Sequence, residues 1–368
     1  LDPTTVVVKG VGVGGLEAPG LALDMGNSGT AMRLMAGLLA GQDFNTTLVG
    51  DASLTGRPMG RIISPLKEMG ATIDSNEGCP PLAIHGSREL RGIRYELPVA
   101  SAQVKSSVLL AGLFANGQTS VIEPAVTRDH TERMLKSMGI DIEIAGNRIA
   151  LRGGQRLQSC DIEVPGDLSS AAFIMLAALI SNEADVTIRS VGVNPTRTGV
   201  IDILRSMGAD ISLENERLLA QEPVADIRVR SSELKGCKVD PALVSLAIDE
   251  FPILFVAAAA ARGETVFSGI AELRVKESDR IAAMANGLKA LGVQVEESPD
   301  GAVVHGGLIS GGSVKSYGDH RIAMALAIAA CASTGTVEVR DVAAVDTSFP
   351  GFAPLLQSIG LPIQVDSA

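Results

Sequence analysis

The chain has 368 residues, 46% of them hydrophobic, with a net charge of −11: apolar mass for two cores more readily than one. Aromatic residues make up 3% and tryptophan is absent, so stacked bases have no platform, and the negative charge excludes a general nucleic-acid or anionic-membrane binder. The four cysteines form no CxxC pair and the four histidines show no ligand spacing, so a reduced, cytoplasmic protein without a metal is expected.

In chain order, the first apolar run, residues 6–8, leads into Gly10-Val11-Gly12-Val13-Gly14-Gly15, a G-x-G-x-x-G string. A dinucleotide site would need a helix to open there, and Leu16-Glu17-Ala18-Pro19-Gly20 is a poor helix start. A glycine-rich hairpin loop is expected instead.

From there one pattern is written five times. A helix that is apolar nearly all round comes first, at residues 31–40, 107–115, 171–180, 253–261 and 322–332. These are too short to span a membrane and belong inside a domain. An amphipathic helix follows each: RIISPLKEMG, TERMLKSMG, VIDILRSMG, RIAAMANGLKALG and FAPLLQSIG. Each closes on a hydrophobic residue and a glycine (Gly70, Gly139, Gly208, Gly292, Gly360), at intervals of about 68 to 84 residues, and the glycine suits a left-handed C-terminal position. Short β-branched runs at 119–122, 186–188, 265–267 and 336–339 lie between the helices, and others at 71–73, 141–144 and 293–295 follow the glycines. The repeat therefore reads as strand, buried helix, strand, amphipathic helix, hairpin. Strands wrapped around helices are expected; the other arrangement open to this pattern is a plain sandwich of helices on sheets.

Polar residues precede every buried helix: Asn27-Ser28-Gly29-Thr30, Ser101-Ala102-Gln103, Gly166-Asp167-Leu168-Ser169-Ser170, Asp249-Glu250 and Gly318-Asp319-His320-Arg321. One alone is an ordinary N-cap; five at the same point of a repeat suggest a multi-anion site built on helix N-termini. Three segments add charge: Arg128-Asp129-His130, Arg274-Val275-Lys276-Glu277-Ser278-Asp279-Arg280 and Asp319-His320-Arg321. Lys276, Glu277 and Arg280 are expected to open the fourth amphipathic helix, where a cation gains nothing from the dipole and points to a bound anion. Arg57 stands at the matching point of the first repeat.

Together these motifs resemble the 5-enolpyruvylshikimate-3-phosphate synthase family across essentially the whole chain. DMGNSGTAMRL, GDASLTGRPMGR, ASAQVKS, TRDHTER, PGDLSSAAF, NPTRTG, IDEFPIL, AELRVKESDRIA, DHRIAMA and TSFPGF occur in family order, and the ASAQ and TRDHTE versions resemble the second, bacterial class. The resemblance implies an α/β fold, a two-domain inverted α/β barrel of βαβαββ units with its active site in the interdomain cleft. Five of the family's six units are counted, in domains over residues 1–163 and 164–368. The family's opening P-G-D-K-S motif has no counterpart before Leu1, which raises the expectation of an incomplete first domain and of doubtful activity for the chain alone.

By motif, Ser101, Ala102, Gln103, Asp249 and Lys276 would bind shikimate 3-phosphate, with Arg128 on its phosphate. Gly29, Arg57, Gln103, Arg280 and Arg321 would hold phosphoenolpyruvate, with Asn27 nearby; guanidinium groups pair bidentately with carboxylate and phosphate. The reaction is addition then elimination, for which Asp249, Glu277 and Lys276 are the candidate proton-transfer groups. No cofactor, nucleic acid or membrane partner is implied, and the complete enzyme is expected to be a monomer. Glu272 and Thr347 stand where some members carry asparagine and lysine, so neither is assigned a contact. Rival readings are UDP-N-acetylglucosamine enolpyruvyl transferase, whose loop cysteine has no evident match, RNA 3'-phosphate cyclase, which needs a basic surface, and a non-catalytic fragment.

Overall fold

A computed structural model describes residues 4–366. The chain divides into two compact units, one ending at Ile162 and the other starting at Glu163, and each has its own apolar core.

In the first unit, β1 (Leu23–Asp24) leads into α1 (Gly29–Ala40), β2 (Asn45–Val49), α2 (Gly60–Glu68), and the hairpin β3 (Thr72–Asn76) and β4 (Cys79–His85). The second repeat copies this with β5 (Arg94–Glu96), α3 (Ala102–Gly112), β6 (Gln118–Ile122), α4 (His130–Ser137), β7 (Ile142–Ala145) and β8 (Arg148–Arg152). The sheets run β1-β2-β4-β3 and β5-β6-β8-β7, the first pair of each parallel and the rest antiparallel. Helices α1 and α3 pack directly together, and a Cβ on Gly37 would collide with the Ser107 carbonyl.

The other unit holds α5 (Leu168–Ile180), β9 (Asp185–Gly192), α6 (Gly199–Ser206), β10 (Asp210–Leu219) and β11 (Glu222–Arg230). It continues through α7 (Phe251–Ala260), β12 (Gly263–Phe267), α8 (Arg280–Ala290), β13 (Gln294–Ser298) and β14 (Gly301–Gly306). Last come β15 (Gly312–Lys315), α9 (His320–Ala329), β16 (Val337–Arg340) and α10 (Phe352–Ser358). In the third and fourth repeats isolated parallel bridges, Gly166 to Val191 and then Lys235 to Arg262 and Lys238 to Val266, stand where the first strand would lie. The fifth repeat keeps its parallel pair β15–β16 and has no hairpin among the described residues.

The five glycine closures are Schellman motifs. Gly70, Gly139, Gly208, Gly292 and Gly360 all have φ between 81° and 99°. In each, the glycine N–H and the next N–H turn back onto the last helical turn, as in Gly70 to Lys67 and Ala71 to Leu66, both 2.9 Å. The buried helices α5 and α7 are apolar over almost every position, which places them in the core with α9 packed against both. Among the described residues no helix is long and apolar enough to cross a membrane.

A further contact recurs. The tip of each hairpin hydrogen-bonds the loop between the second strand and the amphipathic helix. The pairs are Met59 N–H to Gly78 O (2.7 Å), Glu123 to Asn147 (2.9 Å), Val193 to Pro223 (2.8 Å) and Ile270 to Asp300 (2.8 Å).

Two expectations change. Residues 5–22 contain neither helix nor strand, only a turn at Val13 and Gly14, so the glycine string is not a hairpin. No second β-branched run follows Gly15 to pair with residues 6–8, and Pro19 has no N–H to donate. Helix α8 begins at Arg280 with Asp279 as its cap, so Lys276 and Glu277 lie in the preceding loop rather than in its first turn. The Asp279 side chain accepts the Ala282 N–H at 3.0 Å, and that cap sets the helix start.

Candidate functional site

Apart from Arg128, the sequence-derived residues fall into two clusters, one on each unit. In the first, Ser28 caps α1 by accepting the Ala31 N–H at 3.1 Å, and Gly29 follows as the first helical residue. A Cβ on Gly29 would lie 2.9 Å from Nη1 of Arg33 and 3.4 Å from Nη1 of Arg57, so glycine is what lets two guanidinium groups approach this helix start. Arg57 donates to Asn27 Oδ1 at 2.9 Å and Ser53 Oγ at 3.1 Å. Asn27 donates in turn to Asp51 at 2.7 Å. The Leu54 N–H, then the Asn27 amide, hold the Asp51 carboxyl below its ordinary value, so this acid stays ionised and is occupied as a cap.

Gln103, the second residue of α3, joins the same cluster. Its Nε2 donates to Thr30 Oγ1 at 2.7 Å, and its Oε1 accepts from Arg33 Nη1 at 2.6 Å. Ser101 caps α3 by accepting the Val104 N–H at 3.4 Å, with Ala102 as the first helical residue. Arg128 sits on the half-buried loop entering α4. Cations gathered at a helix N-terminus oppose the dipole, and the arrangement suits a carboxylate or phosphate ligand.

Arg33 was not singled out from sequence. Its signal was available: it lies four residues after Gly29 in one helix, and so on the same face. Equally unforeseen is a buried ion cluster beneath. Lys105 Nζ lies 3.1 Å from Glu123 and 2.7 Å from Glu132, with all three side chains at most 5% exposed. Burial raises the Glu132 carboxyl, an effect Lys105 reduces without cancelling.

In the other unit, Asp249 Oδ1 lies 3.4 Å from Lys276 Nζ and 3.8 Å from Arg280 Nη1. Arg321 Nη1 donates to the Asp249 carbonyl at 2.9 Å. Glu277 is 2.5 Å from Arg280 Nη2, so all five expected residues of this half come together. Arg280 itself is 1% exposed, and its Nε donates to Asp319 Oδ2 at 2.8 Å. The strongest contacts of this arginine are therefore to carboxylates of its own chain. Burial alone would raise the Asp319 carboxyl, but Arg280, and then the Arg321 N–H, override it and hold it below the ordinary range. Asp319 also caps α9, so one buried acid fixes both Arg280 and the helix start that carries Arg321. Burial, then the Arg321 charge, lowers His320 below its usual value, leaving it neutral at pH 7.

The first cluster can bind an anion. The second places a partly exposed carboxylate against an ammonium and guanidinium groups, as proton transfer beside a developing charge requires.

Comparison with known proteins shows the family. The family model described as EPSP synthase (3-phosphoshikimate 1-carboxyvinyltransferase) matches residues 1–356. A 3-phosphoshikimate 1-carboxyvinyltransferase of Xanthomonas campestris pv. campestris is 60% identical over 355 residues, 96% of this chain and 81% of that protein. One from Acidithiobacillus ferrooxidans is 60% identical over 98% of this chain and 83% of its own length. The solved EPSP synthase of Acinetobacter baumannii superposes with a TM-score of 0.88 at 51% identity, covering 97% of this chain and 83% of that one.

Proposed function

From the premise that the chain belongs to the EPSP synthase family, we infer the reaction its members are named for. The enolpyruvyl group of phosphoenolpyruvate is transferred to the 5-hydroxyl of shikimate 3-phosphate, and phosphate is released, on the shikimate route to chorismate and the aromatic amino acids. The ASAQ and TRDHTE motifs support assignment to the second, bacterial class, and the two compact units are read as the enzyme's two domains.

In the addition step the 5-hydroxyl oxygen bonds to C2 of phosphoenolpyruvate, losing its proton to a base, while C3 gains a proton from an acid. In the elimination a proton leaves C3, the double bond reforms and phosphate departs. Asp249 is assigned the proton at the hydroxyl and Glu277 the proton at C3, with Lys276 offsetting charge beside Asp249. Arg57, Gln103, Arg280 and Arg321 are assigned to phosphoenolpyruvate with Gly29 and Asn27 at the helix start, and Arg33 joins them. Ser101, Ala102, Gln103, Asp249 and Lys276 are assigned to shikimate 3-phosphate, with Arg128 on its phosphate.

The observation that carries these roles is the Asp249 carboxylate, 17% exposed and set between Lys276 and Arg280. The test is phosphate release with both substrates, comparing the chain with Asp249→Asn, alongside calorimetric binding of shikimate 3-phosphate. Loss of turnover with binding retained is expected; near-normal turnover by Asp249→Asn would sink the assignment. Replacing shikimate 3-phosphate with UDP-N-acetylglucosamine should release no phosphate, which separates the related transferase.

A further inference from the structure

Glu250, the neighbour of Asp249, is a residue the reaction does not use, yet its carboxylate is only 1% exposed. It sits at the N-cap position of α7 without capping it. Instead Oε1 accepts the hydroxyl proton of Ser169, from the first turn of α5. Arg197, on the loop entering α6, donates from Nη2 to the same Ser169 oxygen at 2.7 Å and lies 3.6 Å from Glu250 Oε1. Its Nη1 is 3.2 Å from Asp167, the cap of α5. Arg321 completes the set, with Nη1 3.9 Å from Glu250 Oε1 and bonded to the Asp249 carbonyl. Four segments of the chain therefore meet at one carboxylate oxygen, while the other, Oε2, is buried with no hydrogen-bond partner.

That is an expensive way to hold a core together. A buried charge with an unsatisfied oxygen costs stability, and an uncharged replacement of the whole cluster is often as good or better. A purely architectural role would be served by such an uncharged cluster. The charge is explained if its work is to hold two guanidinium groups in place.

Resting on the assignment of Asp249 as a reacting carboxylate, we propose that Glu250 is a positioning residue. Its charge fixes Arg197 and Arg321, and through the peptide carbonyl held by Arg321 it fixes the angle at which Asp249 meets the substrate hydroxyl. Ser169 and Arg197 are the second tier of the same device, anchoring the carboxylate to the start of α5.

The experiment compares Glu250→Gln, Ser169→Ala and Asp249→Asn by steady-state phosphate release and thermal unfolding. For Glu250→Gln, kcat should fall roughly a hundredfold, the cost of misplacing a reacting group by about 1 Å. The KM for shikimate 3-phosphate should stay within about threefold, that for phosphoenolpyruvate should rise as Arg321 loosens, and the melting temperature should fall by a few degrees as Arg197 and Arg321 lose their partner. Ser169→Ala, which keeps the charge, should give a smaller loss of kcat. A kcat for Glu250→Gln within about twofold of the parent, with Asp249→Asn inactive, overturns the proposal alone. A KM for shikimate 3-phosphate that rises as far as kcat falls also overturns it, since a generally distorted site would give that. Near-normal turnover by Asp249→Asn refutes the reading of Asp249 and the proposal with it.

Discussion

Lys105 tests the buried electrostatics of the first unit most directly. Lys105→Met keeps the length of the side chain and removes its charge, leaving the Glu123 and Glu132 carboxylates, each at most 5% exposed, without the ammonium 3.1 and 2.7 Å away. Breaking a buried pair in this way costs about 3–5 kcal/mol, because the remaining charge is stranded. For a unit of this size each kcal/mol lowers the melting temperature by about 2–4 °C, so a fall of roughly 6–20 °C is expected. Differential scanning calorimetry at pH 7 measures it. The triple variant Lys105→Met, Glu123→Gln, Glu132→Gln should recover most of the loss, since an uncharged replacement of the whole cluster is close to neutral. A loss below about 1 kcal/mol for the single variant, or no recovery in the triple, would refute the reasoning and mean that Lys105 contributes by packing.

Glu132→Gln should alter the pH dependence of stability. Burial raises its folded pKa above the ordinary glutamate value, so the folded state binds the extra proton and the parent loses stability as pH rises from that ordinary value through the raised one. Urea unfolding from pH 4 to 8 should show this decline in the parent and a smaller one in the variant. Gly29→Ala would bring a Cβ 2.9 Å from Arg33 Nη1, displacing the guanidinium group. The KM for phosphoenolpyruvate should rise by about tenfold, roughly 1.4 kcal/mol, with the KM for shikimate 3-phosphate little changed in the same phosphate-release assay. Gly70→Ala forces alanine to φ 99° with only ordinary contact to Glu89 O, so urea denaturation should report a loss of about 1–2 kcal/mol from backbone strain alone.

The helices were legible because their chemistry is local. An all-apolar run such as residues 171–180 has nowhere to go but the core, and each closing glycine marks a Schellman turn to the residue. The polar helix starts also announced themselves, and Asn27, Gly29, Arg57 and Gln103 do converge. What was hidden is pairing at long range. Ser169 and Glu250 are 81 residues apart, and nothing in either motif names the other. Lys105 was illegible for a different reason. It lies in a helix whose apolar run starts only after it, near residue 107, and a lone lysine ordinarily reaches solvent. Arg280 looked like an anion ligand by its position at a helix start; its carboxylate partner Asp319 stands 39 residues later, and only the fold joins them.

The hydrogen bond from each hairpin tip to the loop beside it has a practical consequence. The loops so braced lead to Arg57, Arg128, Arg197 and the Arg274–Arg280 segment, so each hairpin braces a loop that carries at least one arginine. A mutational scan should find activity-altering positions at Gly78, Asn147, Pro223 and Asp300 even though none belongs to either cluster. Because the contact is made by backbone and repeated rather than shared, directed evolution could retune one repeat's arginine while leaving the others at their settings.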